Sequence, residues 1–364
     1  MVKEKIWEIQ PHTQAKLEIL KKYLNAWLPI ITRFNKKVIY IDGFAGPGIY
    51  KNGEEGSPIV AIKSLLNHKF IPSDRHFKFL FIEKDKERAK ILEKELNKIN
   101  LPNTEFTYDT KIMRAEFEDI ISEILDFIED KGSNLAPAFV FIDPFGMKGI
   151  SMNSIKRIMS HKSCEVLINF MYEEINRFIS LPKNEETLNN LFGSNEWKKI
   201  KNVNSSDKRY AFLKELYQRK LRENCGDCFI RTFEMKNKFN REDYVLFFCT
   251  KKPQGMIRMK EAMWKIDETG NFNFSDATYD PKQKLLFQKN PRYSVLKRII
   301  LDKFHGKKVQ MQELIDFVNL ETPFLERHIR QPILKPLEFA DKIEVMNRKK
   351  KNTFPKESII KFKD

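Results

Sequence analysis

The sequence is poor in cysteine and histidine, and neither residue type forms a complete ligand or disulfide pattern. Four cysteines, Cys164, Cys225, Cys228 and Cys249, are too few for a disulfide framework in a chain of 364 residues. The pair in "CGDC" could form half of a zinc site, but no second pair completes it. The six histidines are scattered without ligand spacing. We therefore predict no metal centre.

Long apolar runs are also absent. No stretch approaches the roughly 18 consecutive apolar residues that a membrane-spanning helix needs. The opening segment "MVKEKIWEIQPHTQAK" carries charges where a secretory signal needs an apolar core. Hydrophobic residues still make up 41% of the chain, enough to bury the cores of a larger and a smaller domain. These features predict a cytoplasmic protein without a membrane partner.

Basic residues outnumber acidic ones, and the excess is concentrated at one end. The formal net charge is +16, and residues 281–364 contain 20 lysines and arginines against 10 aspartates and glutamates. A positive charge gathered in one region suggests a polyanionic partner for that region. A solubilising surface is the alternative interpretation of the same charge.

Apolar strands alternate with amphipathic helices through most of the chain. The five predicted strands are "KKVIYIDGF", "FKFLFIEKD", "TEFTYDT", "APAFVFIDPFG" and "CEVLINFM". Continuous apolar strands between helices are typical of a parallel sheet covered on both faces. Two more strands, "CFIRTFEMK" and "YVLFFCTKK", are joined by a short polar link and indicate a hairpin. The pattern predicts an α/β, Rossmann-like sheet of the class I methyltransferase layout, parallel strands closed by an antiparallel hairpin.

The remaining segments set the domain boundaries. A mostly helical, highly charged insertion is predicted at about 173–224, within a methyltransferase-like domain spanning 1–268. Residues 269–281 are polar and rich in turn formers, which predicts a linker. Residues 282–364 show three helices followed by two short β segments, which predicts a small C-terminal winged helix-turn-helix domain.

Acidic residues follow three of the predicted strands directly. Asp42, Glu83 and Asp143 each end an apolar run, and ligands of such sheets bind at the carboxyl ends of the strands. Any one of them alone would be read as an exposed loop carboxylate. Three acidic residues in register favour a nucleotide-like ligand that contains a ribose. The Glu83 carboxylate could accept hydrogen bonds from the ribose hydroxyls.

The first of these acids opens a glycine-rich turn, "DGFAGPG". Gly43, Phe44, Gly46 and Gly48 belong to this turn, in which glycine allows a ligand to approach the backbone closely. The turn is neither the G-x-G-x-x-G dinucleotide fingerprint nor a P-loop, which would carry a lysine. We interpret it as part of a cofactor site.

The segment "IDPFG" contains the predicted catalytic residues. Many methyltransferases that act on the exocyclic amines of bases carry D/N-P-P-Y/F at this strand. In them the acid and a proline carbonyl accept hydrogen bonds from the amine, and the aromatic ring stacks on the base. Asp143 and Pro144 match this pattern. Phe145 occupies the position of the second proline, so the aromatic residue is displaced by one place. A strand-end turn without chemistry is the alternative.

Together these segments resemble the three-Cys-motif partner (TcmP) family over nearly the whole chain. The resemblance rests on "PHTQAKLEILKKYLNAW", "YIDGFAGPG", "FIEKD", "FVFIDPFG", "LINFMYEEINRF" and "FFCTKKPQGMIRMKEAMWKID". The family is similar to class I methyltransferases and associates with a three-cysteine protein that resembles radical S-adenosylmethionine enzymes. The resemblance therefore implies S-adenosylmethionine as cofactor and that protein as a partner.

The resemblance also implies roles for individual residues. The implied cofactor-binding residues are Asp42, Gly43, Phe44, Gly46, Gly48, Glu83, Glu116, His12 and Lys16. Glu116 would lie near the adenine, a position for which Asp109 competes. Asn169 and Arg177 would flank the substrate side of the fifth strand.

Three functions are compatible with the sequence. The first is an S-adenosylmethionine-dependent methyltransferase acting on nucleic acid, in which Asp143 orients or deprotonates the nucleophile and Phe145 stacks a base. The second is a non-catalytic cofactor- or nucleic-acid-binding module that serves a partner enzyme. A transcription regulator acting only through its C-terminal domain ranks last, since it leaves the core unexplained.

The C-terminal domain is predicted to bind nucleic acid, with DNA and RNA undecided. A recognition helix starting near Pro323 would expose Arg327, His328 and Arg330, and the wing would present Arg348 and the three lysines that follow it. Those lysines are Lys349, Lys350 and Lys351. Docking of the three-cysteine partner on this domain is the alternative, because the recognition segment "FLERHIRQPILKP" is rather apolar.

Overall fold

The computed structural model describes residues 5–68, 71–99, 105–279 and 290–363. Contacts divide the chain into two compact units. The core unit contains the described residues up to Arg258 together with 273–279, and the C-terminal unit contains Met259–Phe272 together with 290–363. The segment predicted as a linker at 269–281 is therefore shared between the units. No helix in these described stretches is both long enough and apolar enough to cross a membrane.

The core unit is built on one eight-stranded sheet of order β3-β2-β1-β4-β5-β7-β6-β8. Its strands are β1 Lys37–Asp42, β2 His76–Ile82, β3 Thr107–Met113, β4 Ala138–Ile142, β5 Cys164–Phe170, β6 Phe229–Lys236, β7 Glu242–Thr250 and β8 Asn273–Ser275. The first five are parallel, and β7 runs antiparallel between β5 and β6. This is the predicted fold class, with the three-residue strand β8 as an addition. Every residue of β4 and β5 is buried, as continuous apolar strands at the centre of a parallel sheet must be.

Helices cover both faces of this sheet. They are α1 Pro11–Phe34, α2 Ser57–Leu66, α3 Lys86–Asn97, α4 Phe117–Asp130, α5 Met152–Ser160, α6 Tyr172–Phe178, α7 Glu185–Phe192, α8 Ser206–Cys225 and α9 Pro253–Trp264. Asp85 caps α3 by accepting hydrogen bonds from the backbone N–H groups of Glu87 and Arg88. Pro58 lies in the first turn of α2, where its missing N–H costs nothing. The N-terminal ends of α2 and α3 follow the loops that leave β1 and β2, so these loops lie at the carboxyl edge of the sheet.

Helices α6, α7 and α8 form the segment between β5 and β6. Tyr217 of α8 is fully buried, and its ring stacks on Phe170 of β5 with the ring centroids 4.6 Å apart. Aromatic packing of this kind joins the helical segment to the sheet's hydrophobic core.

The C-terminal unit has a three-stranded sheet of order β10-β11-β9 beside its helices. Its elements are α10 Tyr293–Phe304, β9 Lys308–Gln310, α11 Met311–Glu321, α12 Lys335–Phe339, β10 Ile343–Met346 and β11 Ile359–Phe362. Strands β10 and β11 are the predicted wing, whereas the short β9 was not predicted. A 3-10 turn, Glu326–His328, and a π-helical turn, Arg330–Leu334, precede α12. The predicted recognition helix from Pro323 is therefore wrong in its bounds.

The end of α9 completes the core of this unit. The Trp264 ring lies 4.3 Å from the His328 ring and 5.8 Å from the Phe324 ring, measured between centroids. The Lys260 ammonium is fully buried and donates to the backbone carbonyls of Val318, at 3.1 Å, Asn319, at 2.8 Å, and Phe324. Lys260 thus caps the last turn of α11, where carbonyls lack partners within the helix.

Candidate active site

A pocket of about 150 Å³ opens at the carboxyl edge of the core sheet. Its walls come from α1, the glycine turn after β1, the loops after β4 and β5, and the start of β7. Among the predicted site residues, those in these walls are His12, Lys16, Phe44, Gly46, Gly48, Asp143, Pro144, Phe145 and Asn169. The sheet brings them together because its parallel strands all end at the same edge.

Asp143 lies at the centre of a polar cluster in this pocket. Its Oδ2 atom accepts a hydrogen bond from the Lys16 ammonium at 2.5 Å, and its Oδ1 atom accepts one from the Asn169 amide at 2.6 Å. Strands β4 and β5 pair in register, with Ile142 opposite Ile168, so Asp143 and Asn169 follow side by side. The Asn169 Oδ1 atom is buried and has no partner, so it is an acceptor available to a ligand.

His12 is held between two carboxylates. Its Nδ1 atom lies 2.7 Å from Asp276 Oδ2, and its Nε2 atom lies 3.4 Å from Asp243 Oδ2. The Tyr244 ring packs edge-on against the imidazole, and the Tyr244 hydroxyl donates to the His12 carbonyl at 3.1 Å. Burial raises the pKa of Asp243.

These three partners of His12 were not predicted. Asp243 and Tyr244 open β7, and antiparallel pairing brings the start of that strand to the site. Asp276 lies in the segment predicted as a linker. No spacing in the sequence connects these residues with His12, so only the folded chain identifies them.

Glu83 fixes the glycine turn from the neighbouring strand. Its Oε2 atom accepts a hydrogen bond from the Gly46 backbone N–H at 3.1 Å, and its Oε1 atom accepts one from the Asp85 N–H at 2.7 Å. Gly46 has a φ of 61°, and a Cβ there would meet no atom within 4 Å. The turn is therefore held in a glycine-specific conformation with open space at Gly46.

Asp42 is fully buried beneath this turn. Its Oδ1 atom accepts a hydrogen bond from the Phe44 N–H at 3.2 Å, and its Oδ2 atom has no partner. Burial raises the pKa of Asp42 to about 7, and the nearby Asp143 and Glu83 carboxylates add to the increase. The Asp42 carboxyl therefore changes between its protonated and ionised forms near neutral pH.

Phe145 lines both this pocket and a smaller one, whose walls also include Glu83 and Glu116. Its ring packs edge-on against Trp7, with centroids 5.0 Å apart, and the Arg88 guanidinium lies 5.1 Å from its centroid. Trp7 belongs to residues 5–10, which precede α1. In this arrangement Phe145 contacts its own chain through Trp7 and Arg88.

The two residues proposed near the adenine lie in different places. Glu116 follows β3, lies in the wall of the smaller pocket and pairs with Lys84 at 3.0 Å. Asp109 lies within β3, where it pairs with His76 at 3.2 Å. Arg177 is exposed on α6, with its guanidinium over the Phe178 ring, and does not line the pocket.

The predicted nucleic-acid contacts of the C-terminal unit differ in exposure. His328 is buried against Trp264, so its predicted exposure is wrong. Arg330 donates to the Phe354 carbonyl at 3.0 Å and pairs with Glu326 at 2.6 Å. Arg327 is exposed and lies over the Trp264 ring.

The basic residues of the wing also differ in exposure. Arg348 forms a bidentate, two-armed ion pair with Glu338, in which its two terminal nitrogens donate to the two carboxylate oxygens and Nη1 lies 2.9 Å from Oε2. Lys349, Lys350 and Lys351, which follow it, are exposed. The lysines rather than Arg348 therefore present their charges to solvent.

No three histidine, cysteine or acidic side chains within the described ranges form a group that could hold a metal ion. Cys225, Cys228 and Cys249 are free thiols around β6 and β7.

The sheet order, with β7 antiparallel and the pocket at the carboxyl edge, defines a class I methyltransferase-like domain. Residues 273–350 match the family model of the GMT-like wHTH domain, a winged helix-turn-helix. No curated relative matches the sequence.

Among solved structures, a DUF519-family protein from Legionella pneumophila is 14% identical, with 65% of this chain and 85% of that chain covered and a TM-score of 0.39. The plantazolicin methyltransferase in complex with S-adenosylhomocysteine is 9% identical, with 61% and 69% covered and a TM-score of 0.31. The cyclopropane synthase of Mycobacterium tuberculosis is 9% identical, with 70% of each chain covered and a TM-score of 0.30.

Proposed function

We propose that this protein is an S-adenosylmethionine-dependent methyltransferase that acts on nucleic acid. The observation that carries the proposal is the polar cluster of Asp143, Asn169 and Lys16, which lies in the same pocket as the glycine turn. The winged helix-turn-helix domain supports a nucleic-acid substrate, since such domains commonly bind DNA.

The residues present fit this cofactor. Open space at Gly46 and the unpartnered oxygen of Asn169 offer contacts that the chain itself does not use. Gly43, Phe44, Gly46 and Gly48 would hold the cofactor with Asp42, His12 and Lys16, and Glu83 and Glu116 would hold the ribose and adenine. When bound, S-adenosylmethionine supplies a methyl group already activated on a sulfonium, so the protein's main task is alignment.

The acceptor groups around Asp143 would orient an amine of a base. Asn169 Oδ1 has no partner, and Asp143 retains lone pairs beyond its bonds to Lys16 and Asn169. Two acceptors on one side of the pocket can bind both hydrogens of an amine and aim its lone pair. Asp143 would accept the proton that the nucleophile loses, while the buried Lys16 ammonium stabilises its carboxylate.

A non-catalytic binding module is the second candidate. Two observations favour it: Phe145 packs against Trp7 and Arg88, and Lys16 neutralises Asp143 at 2.5 Å. In this case the pocket would hold the cofactor or a base for a partner enzyme. The three-cysteine radical S-adenosylmethionine-like protein is the proposed partner in both cases, on the basis of the sequence resemblance.

Calorimetry and labelled-methyl transfer distinguish the two candidates. The intact protein should bind S-adenosylmethionine with micromolar or tighter affinity, on the order of 8 kcal/mol. Asp143→Asn should reduce transfer to nucleic acid strongly while leaving cofactor affinity within a few-fold, with the exposed Asp130→Asn at the end of α4 as the matched control. Binding without any transfer, with or without the three-cysteine protein, would support the module. Absence of cofactor binding would end the methyltransferase proposal and would leave the pocket, at most, as a binding site for a base.

A further inference from the structure

The segment after α11 presents a regular outward face. Gln331, Lys335 and Phe339 are all exposed and follow one another at intervals of four residues, and we call them the outward face. Phe339 is 96% exposed. The intervening Ile333, Leu334 and Leu337 are buried, so the orientation of the segment is fixed by its core side.

The outward face adjoins the lysines of the wing. Glu338, next to Phe339, forms the two-armed ion pair with Arg348, which directly precedes Lys349, Lys350 and Lys351. A two-armed pair fixes the geometry of both side chains, so it ties the wing to the end of α12. Lys351 also lies close enough to Glu338 to lower the pKa of that carboxyl, so the wing comes near the residue that precedes Phe339.

Two acidic groups close to Phe339 in sequence are already paired. Glu338 is bound to Arg348, whose guanidinium lowers the pKa of that carboxyl, and Asp341 pairs with Lys363 at 2.5 Å. Lys335 and the three wing lysines are exposed. Residues 331–351 contain six lysines and arginines against three acidic residues, so the segment that carries this apolar ring has a net positive charge.

We propose that Phe339 stacks on an unpaired nucleobase while Lys335 and the wing lysines contact the adjacent phosphates. This inference rests on the proposed function, because it specifies how the C-terminal domain binds its nucleic acid. An aromatic platform within a cationic groove is the arrangement that single-stranded nucleic acids require. A protein-docking surface needs a broader apolar area, and Phe339 is the only large exposed apolar side chain in the described part of the C-terminal unit.

The test uses the full-length protein and three labelled oligonucleotides: a single strand, a duplex with one unpaired 2-aminopurine, and the fully paired duplex. Phe339→Ala should weaken binding of the first two roughly tenfold and of the paired duplex less than twofold. The wild type should quench 2-aminopurine fluorescence, and Phe339→Ala should not. Phe339→Trp should restore both the affinity and the quenching.

Two controls separate this inference from the proposed function. Phe34→Ala removes another highly exposed ring, 83% exposed, from the core unit and should leave binding unchanged. Substitution of the three wing lysines by alanine should weaken the binding of all three oligonucleotides. It should also reduce the slope of log affinity against log salt concentration by about three units. If only the lysines matter, the stacking role of Phe339 is refuted while nucleic-acid binding stands. If the wild type binds none of the oligonucleotides, the nucleic-acid function itself is refuted.

Discussion

At the scale of single residues, Asp42 has the most unusual environment in the site. Burial raises its pKa to about 7, whereas an unfolded aspartate titrates near 3.8. The folded protein therefore binds a proton more tightly than the unfolded chain between these values. A carboxyl with a raised pKa contributes stability below about pH 4 and loses that contribution as the pH rises through 7.

Asp42→Asn should remove this part of the pH dependence. Between pH 5 and pH 8 the free energy of unfolding should fall more in the wild type than in the variant, by a difference of up to roughly 2.5 kcal/mol. Urea unfolding at several pH values measures the difference, with the exposed Asp109→Asn as control. Identical pH profiles for the wild type and Asp42→Asn would contradict the raised pKa.

The pair of Lys16 and Asp143 makes a second residue-scale prediction. Lys16→Met should destabilise the core unit by roughly 1–3 kcal/mol, because Asp143 would lose its counterion in a mostly buried site. The surface pair of Lys22 and Glu18 lies on the same helix, and Lys22→Met should cost at most about 0.5 kcal/mol.

A thermodynamic cycle completes this test. The double variant Lys16→Met with Asp143→Asn should be more stable than the sum of the single changes predicts, since it leaves no buried charge without a partner. Strict additivity in urea unfolding would show that the two side chains do not interact.

At the scale of elements, the cap of α11 by Lys260 has a clear consequence. Lys260→Met leaves three carbonyls without this donor in the core of the C-terminal unit, and we expect a loss of roughly 3 kcal/mol. The exposed Lys265→Met, just beyond α9, is the matched control and should change stability by less than about 0.5 kcal/mol. Thermal unfolding measures both, and equal melting temperatures would contradict the capping role.

Element prediction from the sequence succeeded where one physical signal dominates. Strands such as β1, β2, β4 and β5 are mostly apolar runs bounded by polar residues, so both their type and the edge of the sheet at which the candidate pocket opens were predictable. Strands β8 and β9 have only three residues each, too short for any periodicity. The acids around His12 depend on antiparallel pairing and on a segment that returns to the core unit.

The recognition segment shows a different limit. The sequence predicted an ordinary helix that exposes His328, but a 3-10 turn and a π-helical turn precede α12. The π-helical turn shifts the helical phase, and Trp264, distant in sequence, covers His328. A local pattern cannot reveal which face a distant side chain will cover.

At the scale of the whole molecule, the division of the chain predicts how fragments behave. A fragment of residues 1–280 retains Met259–Phe272 but lacks the residues that cover them, such as Phe324 and His328. Trp264 and its apolar neighbours would then be exposed to water. We expect this fragment to bind 8-anilinonaphthalene-1-sulfonate and to aggregate at concentrations where the full chain is monodisperse. A soluble fragment without dye binding would contradict the division.

The same division bears on how such a protein can arise by recombination. The C-terminal unit consists of two stretches of chain, and residues 273–279 between them pack in the core unit, where Asp276 contacts His12. A gene fusion that joined a ready-made winged helix after residue 281 would leave Lys260 and Trp264 on the wrong side of the junction. Exchange of the C-terminal unit with another protein would therefore need a crossover upstream, within α9, and the incoming chain would also have to supply a segment that packs in the core unit as residues 273–279 do.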